Sequence, residues 1–261
     1  MSPELIKLAD MLWAARDAAQ PCCETPDLPL ADAYAVAAHN HRRRVGAGER
    51  PCGRKIGHTH AAQWPALQLS GPSWGWIYQA STHRLTDPRP LLTLGPRREA
   101  RLEPELVLHL GRTPRAGAGA SEWADCVDQI AIGLELVDRP YAAWGFSVPA
   151  SVAAGGVHAA LFIGPTRPFG AAQAAALANL RAELRLDSER SSGGSALVLG
   201  SPLEALAQLS ALLQAQGAPA LQAGEWITSG ALAPALPVRA GMVGEVGLTG
   251  LDLSPLVFSV R

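Results

Sequence analysis

Cysteine and charge are both scarce in this sequence. The four cysteines are Cys22, Cys23, Cys52 and Cys126, and none of them forms a C-x-x-C pair or another zinc-ligand spacing. Charged residues make up only 17% of the chain, and 22 Lys plus Arg nearly balance 23 Asp plus Glu. These shortages exclude a cysteine zinc site and a basic field for nucleic acid, and they favour a reducing compartment.

Long apolar runs and nucleotide-binding loops are missing as well. No apolar stretch is long enough to span a bilayer, and the N-terminal "MSPELIKLADMLWAARDAA" lacks the cationic and apolar regions of a signal peptide. Neither GxGxxG nor GxxxxGK[ST] occurs. We therefore predict a cytoplasmic protein with no nucleic-acid or membrane partner, and we interpret the basic run Arg42 to Arg44 as a solvated helix end.

The hydrophobic content of 48% predicts a substantial core. Helical spacing of apolar residues covers 3–20, and a second helix is predicted to begin at an Asp32 N-cap and to end before Gly46. From about residue 52 the sequence changes to short apolar runs bounded by Gly and Pro, which are typical of strands. Few helices among irregularly spaced strands predict an α+β fold with a β-rich core.

The segment "GSPLEALAQLSALLQAQGAP" predicts the clearest single helix. Ser201 is its expected N-cap, Pro202 lies in the first turn, Glu204 would complete a capping box, and Gly217 would close the helix. Its buried stripe is predicted to contain Leu203, Leu206, Leu209 and Leu213.

Three glutamates in apolar surroundings indicate a candidate metal site. In "RLEPELVLHL", Glu103 and Glu105 lie two residues apart on a predicted strand, so their like charges share one face. Glu135 lies inside the apolar run "IAIGLELVD", where an ionised carboxylate without a partner would be costly. An all-oxygen site for Mg²⁺ or Mn²⁺ would compensate all three. The alternatives are a solvated strand face for the pair, and an arginine or backbone amide as the partner of Glu135.

Two further stretches carry candidate site residues. Lys55 in "GRKIGHTH" has glycine and apolar neighbours, a setting that lowers an ammonium pKa and suits proton transfer; a strand lysine that reaches solvent is the alternative. His58 would point to the opposite face and is interpreted as a satisfied polar residue. In "EWITSGALAP", Ser229 and Gly230 offer donors to a substrate carboxylate, or form an ordinary strand end.

Taken in order, "GRKIGHTH", "PSWGWIY", "EPELVLHL", "GLELVDRPY", "GSPLEALAQLSALLQAQGAP" with "GEWITSGAL", and "VRAGMVGEVGLTGL" resemble the 2-keto-4-pentenoate hydratase and 4-oxalocrotonate decarboxylase family of the fumarylacetoacetate hydrolase superfamily. The resemblance covers nearly the whole chain. It implies the β-rich mixed-sheet core of the fumarylacetoacetate hydrolase C-terminal type. An N-terminal helical segment, 1–50, would pack on a catalytic core, 51–261, that is a single structural unit.

The resemblance also implies roles for individual residues. Glu103, Glu105 and Glu135 match the family's ligands for Mg²⁺ or Mn²⁺, and Lys55 matches its lysine. The implied substrate is a 2-hydroxy-2,4-dienoate or its 2-keto tautomer, hydrated through a metal-stabilised enolate. The implied assembly is a homo-oligomer, with a complex with a paralogous decarboxylase or hydratase as an alternative.

The chain departs from the family pattern at two places. Ser73 stands in "PSWG", where relatives usually have an acid-base aspartate, and Ala154 with Gly155 replaces an Asp-Asn pair. His158 is assigned to substrate binding beside them, with a core or surface histidine as the alternative. A decarboxylase of an oxalocrotonate-like acid and a C–C hydrolase of an acylpyruvate are the alternative activities. A catalytically weak keto-acid-binding or structural partner subunit is the alternative of another class.

Overall fold

The computed structural model describes residues 1–16, 24–95, 99–115 and 117–261. Its α-helices are α1 (Pro3–Ala15), α2 (Leu30–Gly46), α3 (Trp64–Leu67), α4 (Ala120–Ala124), α5 (Val148–Ala153), α6 (Ala171–Ala176) and α7 (Pro202–Ala215). Its strands are β1 (Pro51–Gly57), β2 (Ser73–Tyr78), β3 (Thr82–Arg84), β4 (Leu91–Leu92), β5 (Arg101–Leu110), β6 (Val127–Val137), β7 (His158–Ile163), β8 (Arg167–Pro168), β9 (Arg181–Leu186), β10 (Glu189–Gly194), β11 (Trp226–Thr228), β12 (Leu236–Pro237), β13 (Val243–Thr249) and β14 (Leu256–Val260).

Two mixed sheets organise these strands. The larger has the order β2-β1-β11-β5-β6-β7-β3, with β12 also paired to β5 and β8 to β6, and the smaller has the order β10-β9-β13-β14-β4. Strand β1 runs parallel to β11, β3 to β7 and β14 to β4, and the other pairs are antiparallel. This arrangement confirms the predicted α+β fold with a β-rich mixed-sheet core.

The register of β5 against β6 decides what each face of the larger sheet carries. Glu103 lies opposite Glu135, and Val107 lies opposite Ala131. Because side chains alternate along a strand, the even-numbered residues of β5, such as Leu106, enter the main core with the second sheet and α7. The odd-numbered residues share the other face, where Val107 lies in a small apolar cluster. That face is therefore apolar around Val107 and acidic around the glutamates.

Helix α7 largely follows its sequence signals. The predicted stripe of leucines is buried, Ser201 Oγ accepts a hydrogen bond from the backbone N–H of Leu203, and Gly217 has the left-handed φ of +61° that ends a helix. The expected capping box is wrong. The N–H of Ser201 donates to the carbonyl of Val198, so it is not available to Glu204.

The N-terminal helices differ from their predictions in detail. Helix α1 ends at Ala15, and the predicted continuation through 17–20 lies outside the described residues, as do Cys22 and Cys23. Helix α2 begins at Leu30 with Pro29 as its N-cap, so Asp32 lies in the first turn, where its charge faces the positive end of the helix dipole. Both helices pack with α5 in a second apolar cluster. The proposed boundary at residue 50 stays a prediction.

The basic run at the end of α2 is not simply a solvated terminus. Arg43 pairs with Asp10 at 2.6 Å, and Arg44 pairs with Glu49 at 2.6 Å. The Arg44 guanidinium also lies 3.5 Å from the centre of the Tyr78 ring. These arginines therefore tie α2 to α1 and to β2.

One helical stretch, Ser195–Ala215, is long and apolar enough to cross a membrane by length and composition, which the sequence reading did not anticipate. It is not one continuous α-helix. Gly200 has a φ of +83°, and α7 itself has 14 residues, or about 21 Å, against about 30 Å of bilayer core. Because its leucines lie in the main core, α7 is the core helix of a globular fold.

Candidate active site and metal centre

Three carboxylates converge at the acidic part of the larger sheet. Glu103 and Glu105 of β5 and Glu135 of β6 each offer an oxygen that lies within 4.8 Å of the others. Glu105 and Glu135 are 0% exposed, and Glu103 is partly buried. The antiparallel register brings the three together, so a pair on one strand and a single residue on the next form one cluster.

Each fully buried carboxylate uses one oxygen in the protein and leaves the other without a partner. Oε1 of Glu135 accepts from Lys55 Nζ at 3.0 Å and lies 2.8 Å from His158 Nδ1. Oε2 of Glu105 accepts from the backbone N–H of Gly230 at 2.7 Å. Within the described part of the chain, Glu135 Oε2 and Glu105 Oε1 have no hydrogen-bond partner. A buried oxygen of this kind favours a cation beside it.

The electrostatics of the cluster lead to the same conclusion. Burial, together with Glu135, raises the pKa of Glu103 to about 7, and it raises the pKa of Glu105 well above its ordinary value. Burial would also raise the pKa of Glu135, but Lys55 and the hydrogen bond from His158 outweigh it and lower that pKa to about 2. Without a further cation, burial and mutual repulsion favour the protonated, neutral forms of Glu103 and Glu105, and a bound cation would let them stay ionised.

Lys55 is held by backbone and by charge. It lies on β1, is 6% exposed, and donates to the carbonyl of Gly156 at 3.1 Å as well as to Glu135. The sequence prediction of a lowered pKa is wrong. Burial does lower the pKa of Lys55, but Glu135, Glu103 and Glu105 together raise it above the ordinary value. Lys55 is therefore an ammonium ion at neutral pH.

A strained turn carries the contacts of Lys55 and His158. Gly155, Gly156 and Val157 all have left-handed backbone conformations, with φ values of +70°, +73° and +53°. The last of these is unusual for a β-branched residue. Strain of this kind persists where surrounding structure fixes it and is common at functional sites. Here the turn presents the Gly156 carbonyl to Lys55 and places His158 beside Glu135.

His158 is a buried link in this network rather than a surface residue. Its side chain is 3% exposed, and its Nε2 lies 3.1 Å from Ser81 Oγ. Burial lowers its pKa, and the hydrogen bond to Glu135 opposes that effect. Since a carboxylate only accepts, the Nδ1 of His158 carries the proton. Sequence reasoning missed Ser81, because no local signal links it to a residue 77 positions away.

Ser73 lies on β2, opposite Gly57 of β1. Its hydroxyl is 2.7 Å from His58 Nδ1, and within the described residues no hydrogen bond joins it to Lys55 or to the three glutamates. His58 has a φ of +54°, so the strand alternation stops before it. Burial and then Lys55 lower the pKa of His58 to about 4. His58 is thus a satisfied polar residue, as predicted.

The turn after β11 fixes Glu105 and the neighbouring β5 backbone through hydrogen bonds. The N–H of Gly230 is used by Glu105, and Ser229 Oγ accepts from Leu106 N at 3.2 Å and donates to the carbonyl of Gly230. At Gly230, with φ of +93°, a Cβ would lie 2.5 Å from Thr59 Oγ1, so glycine is required there. Thr228 Oγ1 is buried and has no hydrogen-bond partner in the described chain.

A cavity of about 1180 Å³ adjoins the site at His158, the hydrogen-bond partner of Glu135. It lies between α1 and α2 on one side and β2 with the segment 153–160 on the other, and His158 forms part of its wall. No sequence pattern indicates this cavity, because its walls come from segments that are distant along the chain.

Comparison with known proteins adds independent information. No family model matches the chain. The chain is 30% identical over 227 residues to 2-keto-4-pentenoate hydratase of Paraburkholderia xenovorans, covering 87% of this chain and 82% of that protein. It is 29% identical over 259 residues to 2-hydroxyhexa-2,4-dienoate hydratase of Comamonas testosteroni, covering 97% and 95%.

A solved structure shares the whole fold. The 4-oxalocrotonate decarboxylase from Pseudomonas putida G7, in complex with magnesium and adipate, superposes with a TM-score of 0.88 at 22% identity and covers 100% of this chain and 99% of its own. The colinear motifs, the curated relatives and the shared fold agree. The chain belongs to the 2-keto-4-pentenoate hydratase and 4-oxalocrotonate decarboxylase family.

Proposed function

We propose that this protein is a divalent-metal-dependent lyase that adds water to a 2-hydroxy-2,4-dienoate or its 2-keto tautomer. The observation that carries the proposal is the cluster of three carboxylates with two unpartnered buried oxygens beside an ammonium group. The hydratase activities of the curated relatives support the substrate class.

The residues fit a divalent cation. Three carboxylates and one ammonium leave a formal charge of minus two when all are ionised, and oxygen-only ligands suit Mg²⁺ or Mn²⁺ better than zinc. Glu103, Glu105 and Glu135 would hold the ion, with the free oxygens of Glu105 and Glu135 as ligand atoms. When bound, the ion supplies electrostatic stabilisation to negative charge on the carboxylate and C2 oxygen of the substrate.

Protein groups would position the ligands and move protons. The Gly230 N–H fixes Glu105, and His158, held by Ser81, fixes Glu135. Lys55 starts as an ammonium ion, so it is proposed first to donate a proton to the carbon chain and then, as an amine, to accept the proton of the C2 hydroxyl. In the overall reaction of the 2-hydroxydienoate, a proton adds to C5 and the hydroxyl of water adds to C4. The C2 hydroxyl proton is lost and C3 gains a proton as C2 becomes the ketone, which gives a 4-hydroxy-2-keto acid.

The remaining assigned residues have supporting roles in the proposal. Ser73, hydrogen-bonded to His58, is proposed to act in proton delivery. Ser229, Gly230 and His158 are proposed to line the substrate carboxylate site. For Ser229 and Gly230 the role is indirect, because their polar groups hold Leu106 and Glu105.

Decarboxylation of an oxalocrotonate-like acid is the second candidate. It would use the same carboxylates and lysine, and the fold shared with 4-oxalocrotonate decarboxylase favours it over C–C hydrolysis. The products distinguish the two activities: decarboxylation releases carbon dioxide, whereas hydration leaves a hydroxyl group on C4.

The test combines purified protein with 2-hydroxypenta-2,4-dienoate and records the loss of ultraviolet absorbance. We expect turnover with Mg²⁺ or Mn²⁺, loss of turnover with chelator, and a fall of at least about a hundredfold in Glu105→Gln, because one ligand charge is removed. Glu183→Gln, at an exposed position on β9, is the matched control and should retain activity. Turnover that survives both chelation and Glu105→Gln would refute the metal mechanism.

We also propose that the protein forms a homo-oligomer in the cytoplasm. Leu91, Val243 and Val257 are exposed large apolar residues on the smaller sheet, and Leu91 and Val243 both pair in register with Ser259. Such a patch supports association with a second copy. Light scattering after gel filtration would detect the oligomer, and Val243→Lys would shift it toward the monomer.

A further inference from the structure

We infer that the cavity beside the carboxylate cluster receives a bulky apolar substituent, such as an aryl ring, on the distal carbon of the substrate. The inference rests on the proposed function for the reacting end of that substrate. The cavity volume of about 1180 Å³ exceeds the roughly 300–1,000 Å³ of pockets that enclose drug-sized ligands. A five-carbon dienoate would leave most of this space empty.

The cavity adjoins the proposed active site at His158 and Gly75. His158 forms part of its wall and contacts Glu135. Gly75 and Gly155 also line it, and a Cβ at Gly75 would lie 3.3 Å from Lys55 Cγ. A substrate whose carboxylate end lies at the glutamates would extend past His158, toward the edge strand β2, into this cavity.

One wall is aromatic and rigid. The Trp76 ring lies between the His41 ring, at 3.9 Å and 5° from parallel, and the Arg54 guanidinium, at 3.1 Å from its centre. Trp74 Nε1 donates to Gln216 Oε1 at 2.8 Å. His41 and Arg54 cover the faces of the Trp76 ring, so this wall offers ring edges that are fixed before binding.

The facing walls leave room for a ring. Helix α2 contributes Ala35 and Ala38, and the segment after α5 contributes Ala154 and Ala159. These small side chains leave a slot in which an aryl group can pack edge-on.

The charged groups in the cavity favour an apolar substituent over a second carboxylate. Arg16 and Arg44 both pair with Glu49, at 2.7 and 2.6 Å, and Arg44 also covers Tyr78. His41 has its pKa lowered to about 4, first by burial and then by Arg54, so it is neutral at pH 7. A carboxylate that entered would compete with Glu49 for these arginines.

The experiment compares kcat/KM for three dienoates: 2-hydroxypenta-2,4-dienoate, its 5-phenyl derivative and its 5-carboxylate derivative. We expect the phenyl compound to exceed each of the others by about tenfold or more, which is the usual gain from filling an apolar pocket. Turnover of the unsubstituted dienoate without that preference, or a preference for the dicarboxylate, would overturn the inference and leave the proposed function intact.

Two helix variants test the position of the substituent. Ala38→Phe fills the slot and should lower the ratio of phenyl to unsubstituted kcat/KM about tenfold. Ala211→Phe makes the same change at an exposed position of α7 and should leave the ratio unchanged. Equal ratios in both variants would place the substituent elsewhere.

A binding measurement separates this inference from the proposed function. With Mg²⁺ present, calorimetry should show that 5-phenylpentanoate binds about tenfold more tightly than pentanoate, and that Ala38→Phe removes the difference. If this result holds while no dienoate is turned over, the hydratase proposal fails and the cavity assignment stands. Equal binding of the two acids would refute the cavity assignment.

Discussion

The carboxylate of Glu135 has two donors on one oxygen and none on the other. Lys55 and His158 thereby fix its orientation and hold its pKa at about 2, although burial alone would raise that pKa. Glu105 is fixed by a neutral backbone N–H instead, and its pKa stays well above the ordinary value. The pKa values of Glu135 and Glu105 thus differ because Glu135 has charged and imidazole donors, whereas Glu105 has only a backbone N–H.

At this scale Lys55 gives a sharp prediction. Lys55→Met keeps most of the side-chain volume and removes the ammonium, so turnover should fall by about a hundredfold or more. Mg²⁺ should bind at least as tightly by calorimetry, because the carboxylates lose a competing positive charge. Lys7, the other lysine in the chain, is exposed on α1, and Lys7→Met is the matched control. Unchanged turnover in Lys55→Met would show that Lys55 takes no part in proton transfer.

The lowered pKa of His58 predicts that acid destabilises the folded protein. Its pKa is lowered from 6.5 to about 4 in the folded protein, so between those values the unfolded chain binds a proton that the folded chain does not. The free energy of unfolding should therefore fall as pH drops from about 6.5 to 4, by up to roughly 3 kcal/mol from this residue. In His58→Asn, which tolerates the positive φ, denaturation curves should show a smaller fall. An identical fall in the native protein and in His58→Asn would contradict the lowered pKa assigned to His58.

Among the elements, β5 positions the carboxylate cluster, and α7 packs against the core that supports β5. The alternation in β5 sends its leucines into the core and its glutamates to the site, so the same strand anchors and presents the cluster. Helix α7 covers the core side of this sheet with a stripe of leucines.

The element-scale prediction concerns α7. Leu206→Ala removes a fully buried side chain and should lower the free energy of unfolding by about 2–5 kcal/mol in chemical denaturation. Leu212→Ala, at a half-buried position of the same helix, should cost less than half as much. Equal costs would show that the stripe does not determine the stability of this helix.

For the whole molecule, ion binding and folding should be coupled. The cluster gathers two strands that are far apart in sequence, so it exists only in the folded chain, and an ion bound there stabilises that state. At a Mg²⁺ concentration about a hundred times Kd, the gain is about 2.7 kcal/mol, or roughly 5–10 °C in Tm for a chain of this size. The shift should vanish in Glu105→Gln and persist in Glu183→Gln. A shift equal in all three proteins would place the ion elsewhere.

The sequence by itself determined the secondary-structure pattern and the candidate ligands. Periodicity and capping residues predicted α7, and alternating apolar runs predicted β5 and β6, because these signals are local. The apolar surroundings of Glu135 signalled a compensated charge, and the order of motifs identified the family. The signals were weakest at helix starts, where Pro29 rather than Asp32 caps α2.

Only the tertiary structure decided which groups meet. The raised pKa of Lys55 depends on three carboxylates brought to it by strand register, and the link from Ser81 through His158 to Glu135 spans three separate segments. The cavity likewise exists between helices and a sheet that are distant along the chain. Electrostatic energies and cavity shapes depend on distances in space, and the spacing of residues along a sequence does not contain them.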